Sequence, residues 1–170
     1  MPELWDLYTG KREPTGEFHR RGDELPQDRF HLAVHVWIRN SSRGEYLISQ
    51  RSASRPVFPL MWECAGGSVL KGENSFQGAV REVKEEVGID LSASPGKCIL
   101  TRKRGTVGGE KFNDITDIWL FEYDGKVDCK QATTDEVAQC RWLSFRQIQE
   151  LYEKQQFVHT LAYFFEIFHA

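Results

Sequence analysis

Between Asn74 and Val87 the apolar residues Phe76, Val80, Val83 and Val87 recur at spacings of four, three and four, so this stretch buries one stripe only as a helix. Asn74 with Gln77 supplies a capping pair at its start, and Gly88 suits the left-handed residue that ends it. An amphipathic helix needs a partner surface. In residues 31–38 the aliphatic Leu32, Val34, Val36 and Ile38 alternate with period two, which predicts a core strand. Residues 40–44 turn the chain into a hairpin partner at 46–50, and Pro56 and Pro59 end regular pairing. Further strands are expected at 98–104, 115–123 and 139–143, with 105–113 as an exposed hairpin loop. Ser144 with Gln147 opens a helix to about Lys154, and Leu161, Phe164, Phe165 and Phe168 predict a second helix that either caps the core or makes a homodimer contact. These elements predict an α/β fold, a sandwich of helices on a mixed β-sheet, in one domain: a hairpin or arm over residues 1–30 packed on a body over 31–170.

A chain of 170 residues can bury a sizeable core without disulfides or metals, so stability alone gives no reason to expect either. Its formal net charge of -3 argues against a body that coats a nucleic-acid polymer or an anionic membrane. The N-terminal residues carry no basic and apolar signal pattern and no run is long enough to span a bilayer, which predicts a cytoplasmic location. The four cysteines, at 64, 98, 129 and 140, form no Cys-x-x-Cys pair and are expected as buried reduced thiols. Neither His-Glu-x-x-His, nor Gly-x-Ser-x-Gly, nor a Gly-x4-Gly-Lys-Ser/Thr loop is present, which removes the main support for zinc-protease, serine-hydrolase and P-loop chemistry.

The chemistry concentrates on the predicted helix. At 100° per residue, Glu82 and Glu86 lie about 40° apart around its axis and Glu85 about 60° to the other side of Glu82. Three like charges on one arc oppose helix formation by tenths of a kcal/mol per pair unless something positive neutralises them. Arg81 can reach Glu85 at i,i+4, but one guanidinium cannot balance three carboxylates; a hard divalent cation with a preference for oxygen can, and Mg²⁺ is the natural candidate. Acidic helix faces are usually just solvated. Here Gly66-Gly67, in the loop ahead of the helix, can turn free backbone carbonyls toward the same cation.

The run Gly67-x5-Glu73-x7-Arg81-Glu82-Val83-x-Glu85-Glu86-x-Gly88-Ile89 resembles, without a departure, the signature box of the Nudix hydrolases. The preceding strands, Trp62 and the segment from Glu136 to Trp142 are also similar to that family's surroundings of the box. The resemblance implies a Nudix-type α/β/α sandwich and cleavage of a diphosphate bond in a nucleoside diphosphate derivative, with Mg²⁺ or Mn²⁺. By position it implies Glu82 and Glu86 as main metal ligands, Glu85 as a further one and the Gly66 carbonyl in the shell. Arg81 would orient the acids and Glu73 would brace the loop. Glu82, Glu85 and, outside the box, Glu136 are the candidates for activating water; Glu110 and Asp114 would serve only if a loop at 105–113 closed over substrate.

Residues 30–37 also resemble a strand of the isopentenyl-diphosphate isomerases, a branch of the same fold in which His31 would match a metal-binding histidine. That branch carries a cysteine where this chain has Gly66 and a histidine where it has Ser68, with Cys64 two residues out of register. The intact Glu85-Glu86 pair therefore favours the hydrolase over an isomerase, and over a nucleotide-sensing module without turnover. Phe58, Trp62, Phe112 and Trp119 are candidates to stack a base, and Arg102, Lys103, Arg104 and Lys111 to meet phosphates, although core packing and a solvated basic edge account for the same residues.

Overall fold

The strand with period-two alternation is the central one. The structure, a computed structural model, describes residues 1–107 and 110–169. Its strands are β1 (Leu4–Tyr8), β2 (Pro14–Arg20), β3 (Phe30–Asn40), β4 (Glu45–Arg51), β5 (Trp62–Glu63), β6 (Ala65–Ser68), β7 (Gly96–Val107), β8 (Glu110–Glu122) and β9 (Val137–Ser144). The α-helices are α1 (Ser75–Val87), α2 (Phe145–Glu153) and α3 (Phe164–Ile167). The chain divides into two compact units: residues 1–36, 66–82 and 96–120 form one, and residues 37–65, 83–95 and 121–170 the other.

In the first unit β1 pairs antiparallel with β2, Trp5 opposite His19, and with the start of β3, Leu7 opposite His31. Strands β6 and β8 also pair with β3, and β7 pairs with β8. Leu32, Val34, Val36, Ala79, Ile115 and Ile118 are buried here. Each aliphatic side chain withdrawn from water contributes about 1.5–3 kcal/mol. The hairpin is pinned at its tip: Arg12 donates to both carboxylate oxygens of Asp117, at 2.6 and 2.5 Å, and Thr101 Oγ1 adds a bond of 2.6 Å to the same buried acid. Asp117 is thereby held below the usual carboxylate range, although burial alone would push it up.

In the second unit β4 lies between the end of β3, β5 and β9, and its ladder with β9 runs from Glu45 opposite Ser144 to Arg51 opposite Val137. Trp37 is the hub of an aromatic core, with Phe164 at 4.5 Å and Phe168 at 5.8 Å between ring centroids, and its indole N–H donates to Tyr163 Oη at 3.1 Å.

Both predicted caps form. Asn74 and Gln77 exchange hydrogen bonds of 2.9 Å at the start of α1, Ser144 and Gln147 close the capping box of α2, and Gly88 takes φ +74°. Three expectations fail. The C-terminal aromatics do not lie on one helix: a 3-10 turn at His159–Leu161 precedes the four-residue α3, because Tyr163, Phe164 and Phe168 pack around Trp37 and that demand overrides a continuous turn. They cap the unit's own core, the first of the two roles expected of them. The loop expected at 105–113 is mostly strand, since β7 runs on to Val107 and β8 starts at Glu110; Gly108 and Gly109 lie outside the described residues, as does the side chain of Glu110. The cysteines are not all buried thiols: Cys129 and Cys140 form a disulfide with Cα atoms 6.4 Å apart, Cys98 is exposed, and Cys64 is a buried thiol. Among the described residues no helix is long and apolar enough to cross a membrane.

Candidate active site

Helix α1 presents the acids, and strand β6, which takes up the Gly66-Gly67 pair expected in a loop because it pairs with β3, determines where the first of them sits. A Cβ added to Gly67 would lie 2.6 Å from Cδ of Glu82, so that carboxylate rests directly on the glycine backbone. Gly66 is as tightly constrained: a Cβ there would run into the Val34 carbonyl oxygen and come within 3.2 Å of His35 Cα. No other residue type fits either position without displacing a strand or the acid.

Arg81 holds the arrangement from behind. Its Nη1 donates to Glu82 Oε1 at 2.9 Å, Nε and Nη2 grip the two oxygens of Glu73 at 2.8 and 3.1 Å, and Nη2 also reaches the Ser68 carbonyl at 2.8 Å. Glu73 in turn accepts from the Leu70 N–H at 3.0 Å, which closes the loop on itself. Burial works against the Arg81 cation, but its hydrogen bonds to Glu73 and the charge of Glu82 outweigh it and raise its pKa, so it is permanently charged. Glu73 therefore braces the loop, and Arg81 both neutralises and aims Glu82.

Glu85 and Glu86 follow on the same helix, in the second unit. The Glu85 carbonyl accepts from the backbone N–H groups of Thr133 and Thr134, at 3.0 and 3.3 Å, and from Thr134 Oγ1 at 3.2 Å. Gly88 is needed as much for space as for its φ: a Cβ would lie 2.6 Å from Cβ of Gln131. Glu86 is buried, 6% exposed. In the same unit Glu136 is ion-paired with Arg55, and its carbonyl accepts from the Ser52 N–H at 2.8 Å. The sequence reading missed a neighbouring pair, Arg51 and Glu63, 2.5 Å apart. Burial pushes the Glu63 carboxyl up and Arg51 opposes that shift. Nothing in local spacing signals the pair, because a strand pairing across twelve residues of chain creates it.

Among the described residues no three acidic, imidazole or thiol groups converge into a closed cage for a metal. A hard cation does not require one: Mg²⁺ is commonly held by one or two carboxylates while waters and substrate phosphates complete the octahedron. Within the first unit the donors present suit that mode, with Glu82 aimed by Arg81 and the Gly66-Gly67 backbone beside it.

Other sequence candidates have structural occupations. Trp119 donates to Ser75 Oγ at 2.9 Å and packs edge-on against Phe76, Arg104 lies 4.4 Å from the centroid of Phe112, and Phe58 meets His159. Trp62 is buried. Asp114 is no loop acid: it is buried on β8, gripped by Arg104 and by Thr116 Oγ1. His31 is buried under Trp5, ring centroids 4.3 Å apart, and its pKa is lowered chiefly by burial. Arg102, Lys103 and Lys111 are exposed.

A sheet strand with paired glycines leading into this glutamate helix points to the class of hydrolases acting on phosphorus-containing anhydrides. The NUDIX domain family matches residues 29–164, and the chain belongs to the Nudix hydrolases. It is 35% identical over 166 residues to the uncharacterized Nudix hydrolase lmo0368 of Listeria monocytogenes, covering 96% of this chain and 90% of that protein. Its fold is similar to that of DR0079 from Deinococcus radiodurans, with a TM-score of 0.74 at 21% identity over 94% of this chain and 95% of that one. It is also similar to the bifunctional NMN adenylyltransferase/ADP ribose pyrophosphatase of Francisella tularensis, a structure complexed with AMP and a Mn ion, with a TM-score of 0.59 at 18% identity over 79% of this chain and 41% of that one. The fold is accordingly the α/β/α Nudix sandwich with its mixed sheet.

Proposed function

We propose that the chain is a Mg²⁺- or Mn²⁺-dependent pyrophosphohydrolase that cleaves a diphosphate bond in a nucleoside diphosphate derivative by attack of water on phosphorus. The observation that carries this reading is Glu82 seated on Gly67 and held by Arg81, which sets an oriented carboxylate beside a stretch of strand backbone that any side chain would obstruct. When bound, the metal would shield the diphosphate charge and lower the pKa of a coordinated water. Glu82 and Glu86 would be its main ligands, Glu85 a further one, and the Gly66 carbonyl part of the shell. Glu85, Glu82 and Glu136 are the carboxylates available to take the proton from water, and the Arg55 ion pair gives Glu136 a fixed position from which to do so. Arg81 keeps Glu82 aimed through the reaction. The manganese and AMP in the Francisella tularensis structure are in keeping with this choice of metal and substrate class.

In this reading the partner is a small diphosphate rather than a nucleic-acid polymer, in keeping with the net charge of -3, and the enzyme works in the cytoplasm. The test is a screen of nucleoside di- and triphosphates, dinucleoside polyphosphates, nucleotide sugars and prenyl diphosphates with Mg²⁺, run beside Glu85→Gln and Glu136→Gln. Metal-dependent release of phosphate or a mononucleotide that is lost in folded Glu85→Gln supports the site. Undiminished turnover in that variant contradicts it, and efficient isopentenyl-diphosphate isomerisation would replace hydrolysis as the assigned reaction.

A further inference from the structure

The family match begins at residue 29, yet the hairpin β1–β2 ahead of it is bonded to the loop that carries the box. Among the described residues strand β1 pairs with β3 at Leu7 and Tyr8 alone, which leaves the Leu4 end of that edge open to another partner. The box loop takes it. The Lys71 N–H donates to the Leu4 carbonyl at 2.7 Å, and two residues earlier the Val69 N–H donates to the Leu32 carbonyl of β3 at 2.9 Å, so the loop is laced to both strands. The Gly72 N–H then donates to the carboxylate of Asp6 at 2.8 Å, and the Lys71 ammonium lies 3.9 Å from the ring centroid of Phe18 on β2. Gly72 takes φ +83°, which turns its N–H out of the loop toward that acid.

The next residue is Glu73, which grips Arg81, which grips Glu82. A continuous relay therefore runs from Asp6 through Gly72, Glu73 and Arg81 to the carboxylate on Gly67. We infer that Asp6 is a positioning residue for the metal site, and that the N-terminal hairpin acts as an external brace holding the box loop in the geometry that aims Glu82. The hairpin suits the task because it is anchored independently, by Arg12 on Asp117 at its tip and by Trp5 stacked on His31 along its strand. The inference rests on the proposed role of Glu82 as a metal ligand. Removing a partner that orients a metal ligand typically weakens metal binding by about 10–100-fold.

The experiment measures Mn²⁺ binding to the full chain by electron paramagnetic resonance, with metal alone, for the wild type, Asp6→Ala and Asp6→Asn, beside thermal denaturation of each. Asp6→Ala is expected to bind Mn²⁺ about tenfold more weakly, whereas Asp6→Asn, whose amide oxygen still accepts from Gly72, stays close to the wild type. If Asp6→Ala does not fold, Asp6→Glu keeps the charge but misplaces the oxygen, and is expected to show the same weakening. Wild-type affinity in Asp6→Ala or its substitute, whatever the melting temperature does, overturns the brace alone. Equal weakening in the alanine and asparagine variants overturns the hydrogen-bond relay. Absence of Mn²⁺ binding in the wild type overturns the metal-ligand reading of Glu82 and the brace with it.

Discussion

Gly67 and Glu82 touch: a methyl group at Gly67 would stand 2.6 Å from the carboxylate carbon of Glu82. The clash falls on the far end of a flexible side chain, so Gly67→Ala is expected to cost the fold no more than about 1 kcal/mol. Its cost should appear in function, because the acid can move only away from strand β6. Metal-dependent turnover is expected to fall by about tenfold or more, with a higher Mg²⁺ requirement. Parallel urea denaturation and Mg²⁺ titration of turnover check this, and unchanged turnover would show that the seat of Glu82 is immaterial.

Arg81 serves Glu73, Glu82 and the Ser68 carbonyl with one guanidinium. Arg81→Ala leaves two partly buried carboxylates without that cation and is expected to destabilise the chain by about 2 kcal/mol. Arg81→Lys keeps the charge but loses the fork that binds both oxygens of Glu73 while reaching Glu82, so it should restore only part of that loss. Chemical denaturation of the three proteins gives the ranking; a lysine variant as stable as the wild type would contradict the geometric argument.

His35 on β3 has its pKa lowered from 6.5 to about 3, first by burial and then by the positive charge of Arg104. The folded chain thus keeps this imidazole neutral, while the unfolded chain protonates it below about 6.5. The unfolded state binds the extra proton across that window, so stability is lost as pH falls from about 6.5 toward 3, by at most about 1.4 kcal/mol per pH unit from this group. Denaturation midpoints measured across the window should fall less steeply for a folded His35→Gln variant. Identical slopes would mean that acid destabilisation comes from other groups.

The Cys129–Cys140 disulfide closes a short loop that contains Thr133, Thr134 and Glu136. Cross-linking a loop of this size stabilises a fold by roughly 2–3 kcal/mol on the chain-entropy account. Non-reducing peptide mapping is expected to recover the cross-linked pair, and dithiothreitol or Cys129→Ser to lower the melting temperature. Two free thiols in protein purified without reductant would restore the original expectation of reduced cysteines and strengthen the cytoplasmic placement.

Much of the helix that carries the proposed site was legible in the sequence alone. The positions of Glu82, Glu85 and Glu86 on one helical arc follow from their spacing, and the ends of α1 follow from Asn74, Gln77 and Gly88, because helix periodicity and capping involve neighbours within four residues. Strand β3 announced itself equally well through Leu32, Val34, Val36 and Ile38. The role of Glu73 came with the family resemblance, and the bonds from Arg81 agree with it.

What the amino-acid order determined by itself is thus the set of elements whose causes are local: a capped glutamate helix, a core strand, and through their pattern the family; the Gly66-Gly67 pair, expected in a loop, became strand β6 because it pairs with β3. Tertiary structure alone decided the contacts between distant parts of the chain. Asp6 meets Gly72 across 66 residues and Arg12 meets Asp117 across 105, Asp114 is buried under Arg104, Cys129 joins Cys140, and the C-terminal aromatics abandon a single helix to surround Trp37. Such pairings leave no periodicity to read, since they are selected by which strands the sheet brings side by side and by the free energy of burying each group with a partner.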